Sequence, residues 1–447
     1  MKTSHLAGLT AVLLLLLLAG PAEPKGRKGG TDYVKDARFA LEEIEKACGH
    51  FFRAKDIDWK KVSAEILKEA KKVKTDQDHL VLLCRIVGKL EDGHASVRPL
   101  TEKAKAVKWP FAKTVRQSGP GMFWCRVGKR IYVKNCWSAA EDCAIKPGME
   151  VVKVDGLPAM KWLDGKIAEM REFGGYSTDE QAFYAACHWG LAADRGTGTS
   201  YELKKIDGKR KKVTVTRRKA PTTPVGPAIF PEGLSQEGRQ HYGKLPSGFG
   251  YIHLRDCPGS LPAQIDKMLG EIGHVPGLIL DCRANGGGGF DHDAVLGQFV
   301  PKGHEMPRAK AYKIKSHGEN PYGGPIVVIV DAGCRSAGET MSGMFKEDGR
   351  GYMIGESHTA GMSSSKKTIP LPSGMFAMYV SVRSNKARFN GGRGIEGVGV
   401  IPHEIVPYDP KDLAKGVDTQ IRRAEELLKD FPQGKVPYRP KKYGWKK

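Results

Sequence analysis

At 447 residues the chain is long enough for two or three domains, and its ordinary globular composition excludes a disordered protein. Lysine and arginine outnumber aspartate and glutamate by 22, a charge that draws anionic polymers or membrane surfaces. Yet the densest basic groups, Lys209–Lys212, Arg217–Lys219 and Lys441–Lys447, lie in a turn, a strand end and a tail without interleaved aromatics. That is the pattern of a solvated surface, and no specific nucleic-acid partner is expected.

Lys2, the apolar run Leu6–Ala19 and the following Gly-Pro-Ala-Glu describe a secretory signal peptide over residues 1–22, with cleavage near Ala22. Retention as a membrane tether is the alternative. The protein is therefore expected to be exported, periplasmic or extracellular. No later apolar run approaches a membrane span. The nine cysteines are an odd number, so at least one has no partner within the chain. Cys125, Cys136 and Cys143 cluster and are the expected disulfide candidates. No Cys/His spacing suits zinc, and neither a metal nor a cofactor is expected.

Helical periodicity runs from Asp32 to Ala47, from Asp58-Trp59 to Val73 and from Thr75 to Lys89. These helices make an N-terminal helical domain, residues 30–108, that ends in the turn Leu90-Glu-Asp-Gly-His94. Residues 109–219 then change to short strands. Arg130–Lys134 alternates, Ala139–Ile145 reads as a short helix, and Val151–Gly156 is a strand with a tight Asp-Gly turn. Ser138-Ala-Ala140, Gly148-Met-Glu150, Val151–Gly156 and the closing Val213–Arg218 resemble a PDZ domain. The resemblance implies recognition of chain ends by strand addition. Residues 163–200 fit that pattern badly and read as an insertion, and the Pro/Gly/Thr-rich stretch 220–240 reads as a linker.

From 240 to 415 strand and helix alternate. Phe249–Leu254, Gly277–Asp281, Gly351–Ile354 and Ala377–Val382 read as strands, and Pro262–Ile272 and Asp293–Val300 as helices. The alternation predicts an α/β core with a mainly parallel sheet. Residues 416–447 are a C-terminal helix, Asp418–Lys429, and a basic tail. Within the core, Ile326–Val330 is a β-branched run suited to a strand buried on both faces. Asp331-Ala-Gly333 breaks it, and Ser336-Ala-Gly-Glu339 opens a helix. A serine there is either a helix cap or a nucleophile, since a helix N-terminus favours the negative charge that develops in acyl transfer.

Four segments favour the nucleophile. Val330–Glu339 and the loop Asp281-Cys-Arg-Ala-Asn285-Gly-Gly-Gly-Gly289 resemble motifs of the tail-specific, C-terminal-processing serine proteases, and Leu90–His94 and Ile395-Glu396-Gly-Val-Gly-Val-Ile-Pro402 resemble motifs of their tricorn-type branch. Along the chain the four stand in the family's order, with the PDZ-like region between the first two. The resemblance implies a Clp protease/crotonase-like core with the helical domain before it and the PDZ-like domain inserted. It further implies Ser336 as nucleophile, His94 as general base and Glu396 as the carboxylate that holds the imidazole or its hydrogen-bonded partner. The N–H groups of Gly287 or Gly288, with that of Ala337, would form the oxyanion hole.

Three departures stand out. Where the bacterial processing branch has a lysine base in Thr-x-Gly-Lys, this chain has Thr359-Ala-Gly-Met362, with Lys366 and Lys367 displaced beyond it. Where the tricorn protease has a serine before its histidine, this chain has Gly93; a water, Ser96 or a direct Glu396 contact are the candidate replacements. Arg335 also stands where the family usually has a small residue. The expected activity is hydrolysis of a polypeptide substrate through a Ser–His–Glu site and an acyl-enzyme, with oligomerisation open. The alternative is a catalytically inactive PDZ-containing binder on the same fold.

Overall fold

The computed structural model describes residues 32–110, 117–308, 312–362, 365–386 and 388–431. The signal segment 1–22 and the basic tail beyond Phe431 lie outside the described residues. Among the described residues no helix is long and apolar enough to cross a membrane.

The strand Ile326–Val330 is fully buried and sits in the middle of a seven-stranded sheet. Its parallel neighbours are Leu278–Asp281 on one side and Tyr352–Gly355 on the other. Gly250–His253 and Glu404–Ile405 extend the parallel set outward, and Gln240–Lys244 and Ser235–Glu237 add an antiparallel edge. The Ser235–Glu237 strand lies inside the stretch expected to be a linker. Side chains alternate across a strand, so the two faces part cleanly. Ile326, Val328 and Val330 pack with Leu278, Leu280 and helices Leu261–Ile272 and Ala337–Glu347. Val327 and Ile329 pack with Ile279, Ile354 and the C-terminal helix Thr419–Asp430, through Ile421, Ala424 and Leu428. Burial on both faces is why the strand reads as an unbroken apolar run.

The N-terminal helices are Tyr33–Phe52, Trp59–Ala70 and Asp76–Lys89. Their starts follow from side-chain caps. Asp32 and Asp58 accept backbone N–H bonds of the first turn, and Thr75 with Asp78 forms a reciprocal capping box. These helices do not close a core by themselves. The expected strand at Ala377–Val382 forms as Phe376–Ser381, but in a separate three-stranded sheet with Lys366–Pro370 and Ser96–Pro99. Its Phe376, Met378 and Val380 fill the helical cluster around Leu80, Leu83 and Ile86. The chain thus returns late to finish its first domain, and this hairpin fixes the histidine loop, which runs straight into Ser96–Pro99.

The middle of the chain is a β-rich unit. Met122–Val127, Arg130–Cys136, Glu150–Val154, Gly198–Lys204 and Arg210–Thr216 pair in that order, all antiparallel, around buried Trp124, Val133, Val151 and Tyr201. The short helix is Ser138–Asp142. Residues expected to be an insertion form the helices Ala159–Phe173 and Asp179–Cys187. The expected disulfide is not formed: all nine cysteines are free thiols. The sulfurs of Cys125, Cys136 and Cys143 instead approach different carbonyls, those of Tyr132 at 3.8 Å, Ile145 at 3.3 Å and Thr214 at 3.8 Å.

Candidate active site

The site lies at the carboxyl ends of adjacent parallel strands, where loops diverge and leave a crevice. The loop after Leu278–Asp281 carries the glycines, and the loop after Ile326–Val330 carries Ser336. Asp331 locks them together. Its buried Oδ1 accepts N–H bonds from Ala284 at 2.8 Å, Gly333 at 3.0 Å and Cys334 at 2.9 Å. Arg335 N–H donates to the Asn285 carbonyl at 3.1 Å, and the Asn285 side-chain N–H donates to the Leu254 carbonyl at 2.6 Å.

Beneath the glycine loop, Arg283 is fully buried. It donates to Asp281 at 2.9 Å, to Asp418 at 2.9 and 3.0 Å, to the Tyr408 hydroxyl at 3.0 Å and to Gln420 at 2.9 Å. Two carboxylates hold the guanidinium well above its ordinary range despite burial. The Asp-x-Arg-x-Asn motif therefore serves as a strut between the loop and the C-terminal helix.

Ser336 has φ 58° and ψ −125°, a left-handed conformation that costs a non-glycine residue about 1–3 kcal/mol. The surrounding bonds hold it there. Glu339, in the first turn of the helix, accepts from Ser336 N–H at 3.1 Å, Gly361 N–H at 2.7 Å, Met362 N–H at 2.8 Å and the Thr359 hydroxyl at 2.5 Å. Burial pushes its carboxyl up to about 8, against the pull of those four donors. Met362, at the expected lysine position, is thus part of the support, while Lys366 lines the same cleft as Ser336. That cleft, about 470 Å³, is bounded also by Gly288, Phe290, His292 and Ala337.

The glycines are needed for close approach. A Cβ on Gly287 (φ 77°) would lie 2.8 Å from the Ser336 Cβ, and one on Gly288 (φ 150°) would lie 2.2 Å from the Cys257 carbonyl oxygen. The two are not equivalent. The Gly287 N–H donates to Asn285 Oδ1 at 2.8 Å and so is committed inside the loop. Gly288 and Ala337, both at the cleft, make no such N–H bond among the described residues. Of the two glycines expected from the sequence, Gly287 thus has its N–H committed inside the loop, and Gly288 with Ala337 is the pair carried into the proposal below.

His94 enters from the other side. Asp92 pins its loop: Oδ1 accepts His94 N–H at 2.9 Å and the Ser381 hydroxyl at 2.9 Å, and Oδ2 accepts Ser381 N–H at 2.7 Å. Burial first, then the charge of Lys366, lowers the imidazole to about 4; Asp92 opposes this and Arg335 adds to it. Arg335 directly precedes Ser336 and Lys366 lines its cleft, so the two cations that act on the imidazole belong to the Ser336 side of the site. Its Nδ1 is buried without a hydrogen-bond partner among the described residues. Glu396 is buried and pairs with Lys55 Nζ at 2.7 Å; its Oε1 also accepts from the Ser177 hydroxyl at 3.1 Å. Ser177 in turn accepts Gly93 N–H at 2.9 Å. Sequence reasoning missed both Lys55 and Ser177, because neither sits in a motif. The Arg335 guanidinium lies 6.0 Å over the Trp189 ring, so the unexpected bulk beside Ser336 is directed at the turn that follows the inserted helices.

Part of the chain is similar to known peptidases. Residues 248–406 match the model of Peptidase family S41. The chain is 28% identical over 187 residues to the tricorn protease of Thermoplasma acidophilum, covering 40% of this chain and 16% of that one. It is 26% identical over 196 residues to the carboxyl-terminal-processing protease of Picosynechococcus, covering 40% of this chain and 45% of that one. The chain thus spans only a minor part of these curated relatives. Among solved structures, mature CPAF superposes with a TM-score of 0.66 at 15% identity, covering 91% of this chain and 99% of that chain, a likeness of fold. The segment similar to peptidase family S41 holds the parallel strands of the sheet, the glycine loop, Ser336 and Glu396, while His94 lies outside it.

Proposed function

We propose that this protein is an exported serine endopeptidase. The observation that carries the reading is Ser336 at a strained strand-to-helix junction, with the N–H groups of Gly288 and Ala337 at the same cleft. His94 takes the Ser336 proton as Oγ attacks a peptide carbonyl carbon. The carbonyl oxygen becomes an oxyanion held by the two N–H groups. The C–N bond then breaks, and the imidazolium returns the proton to the leaving amine. Water, deprotonated by the same imidazole, hydrolyses the acyl-enzyme and restores Ser336. Glu396 acts on the histidine loop rather than on substrate. The β-rich unit, by its resemblance to a PDZ domain, recognises a substrate C-terminus or gates the cleft, and the signal-like segment 1–22 supports export.

A second reading is a Ser–Lys arrangement, favoured by one observation: Lys366 lines the cleft with Ser336. Incubation with unfolded casein, with Ser336→Ala as control, tests the proposal. Cleavage by the wild type alone is expected. Equal cleavage by both proteins contradicts it, and failure of the folded wild type to react with a fluorophosphonate probe favours the inactive binder.

A further inference from the structure

Residues 163–200 fit no part of the PDZ pattern, yet they reach the site. The junction between helices Ala159–Phe173 and Asp179–Cys187 is wedged among three of its loops. A Cβ on Gly175 would lie 2.1 Å from the Asp92 carbonyl oxygen, so the junction lies against the histidine loop. The Thr178 hydroxyl donates to the Ala360 carbonyl at 3.0 Å. Gln181 accepts Ser177 N–H at 2.6 Å and donates to Met362 Sδ at 2.9 Å. The Ser177 hydroxyl joins Gly93 N–H to Glu396, and Lys55 Nζ, paired with Glu396, donates to the Glu91 carbonyl at 2.6 Å.

Gly93 itself has no room for a side chain. A Cβ there would lie 2.7 Å from both Gln181 Nε2 and Met362 Cγ. The only hydroxyl hydrogen-bonded to Gly93 N–H among the described residues comes from 84 positions further along the chain.

We infer that Ser177 is a positioning residue for His94: its hydroxyl couples the Glu396 carboxylate to the backbone that carries the imidazole, so the inserted helices of the β-rich unit complete the peptidase site. This rests on the Ser336–His94 reading. Without the hydroxyl, the partly buried Gly93 N–H and the buried Glu396 oxygen each lose a partner, and the histidine peptide shifts. Displacement of about 1 Å in a catalytic group costs about a hundredfold in rate.

The test is fluorophosphonate labelling of Ser336 in the full-length protein, resolved into the maximal labelling rate and the probe concentration at half-maximum. Ser177→Ala is expected to lower the maximal rate about ten- to a hundredfold with the half-maximal concentration unchanged, and Ser177→Thr to restore most of it. Labelling of Ser177→Ala at the wild-type rate, or equal slowing in the Ala and Thr variants, overturns the inference. Should Ser177→Ala fail to fold, Ser177→Cys, similar in size but a weak donor, takes its place with the same expectations. Absence of labelling in folded wild type overturns the Ser336 reading instead.

Discussion

The loops that carry Ser336 and Gly288 are tied by hydrogen bonds between the ends of two neighbouring strands, with Asp331, Asn285 and Glu339 as the knots. The corner that carries His94 is assembled from its near neighbour Asp92 and four distant places, Lys55, Ser177, Met362 and Glu396. The first set of bonds lies within the α/β core. The second joins residues of the helical segment, the β-rich unit and the core. If Ser336, Gly288 and His94 act as proposed, the oxyanion cradle is held within the core and the placing of the base depends on contacts between units, which would give the β-rich unit a physical route to control catalysis.

Substitutions that strike one half and spare the other sharpen this contrast. Ser336→Ala should lower casein cleavage at least about a thousandfold while leaving the unfolding midpoint close to wild type. Arg283→Met breaks a buried ion cluster from one side and leaves Asp281 and Asp418 uncompensated; a loss of about 3–5 kcal/mol in urea unfolding is expected, with activity lost alongside. Glu339→Gln replaces one acceptor oxygen with a donor facing N–H groups, so a loss of about 1–3 kcal/mol is expected by the same assay.

The smallest effect is a pH shift. As the proposed base, His94 works only when neutral, so activity is expected to rise as pH passes the imidazole pKa, which burial and Lys366 lower to about 4. The Lys366 cation repels the imidazolium. Lys366→Met should therefore move the acidic limb of kcat/KM upward, toward the ordinary histidine value of about 6.5. Complete loss of activity in that variant would instead make Lys366 the base.

What could be read from the residues alone follows the same division. The apolar run Ile326–Val330, the caps Asp58, Thr75 and Asp418, and the break at Asp331–Gly333 are local signals, and each element forms where its pattern places it. The Ser336 junction and the glycine loop were legible for the same reason. The hairpin Lys366–Ser381 was not, because alternation marks a strand without naming its partner, and Phe376–Ser381 pairs with a segment near residue 97. Nor was the commitment of the Gly287 N–H, which depends on where the Asn285 amide turns. Ser177 carried no signal at all: a lone serine ahead of a helix looks like any other until the fold sets it between Gly93 and Glu396, the latter 219 positions away.

The most direct test is the rate at which a fluorophosphonate labels Ser336 as a function of pH, in the wild type and in His94→Gln. The account predicts labelling confined to Ser336, a wild-type rate that rises through one ionisation near pH 4, and a variant slowed at least about a hundredfold with that ionisation gone. Equal rates in the two proteins across the pH range would contradict it.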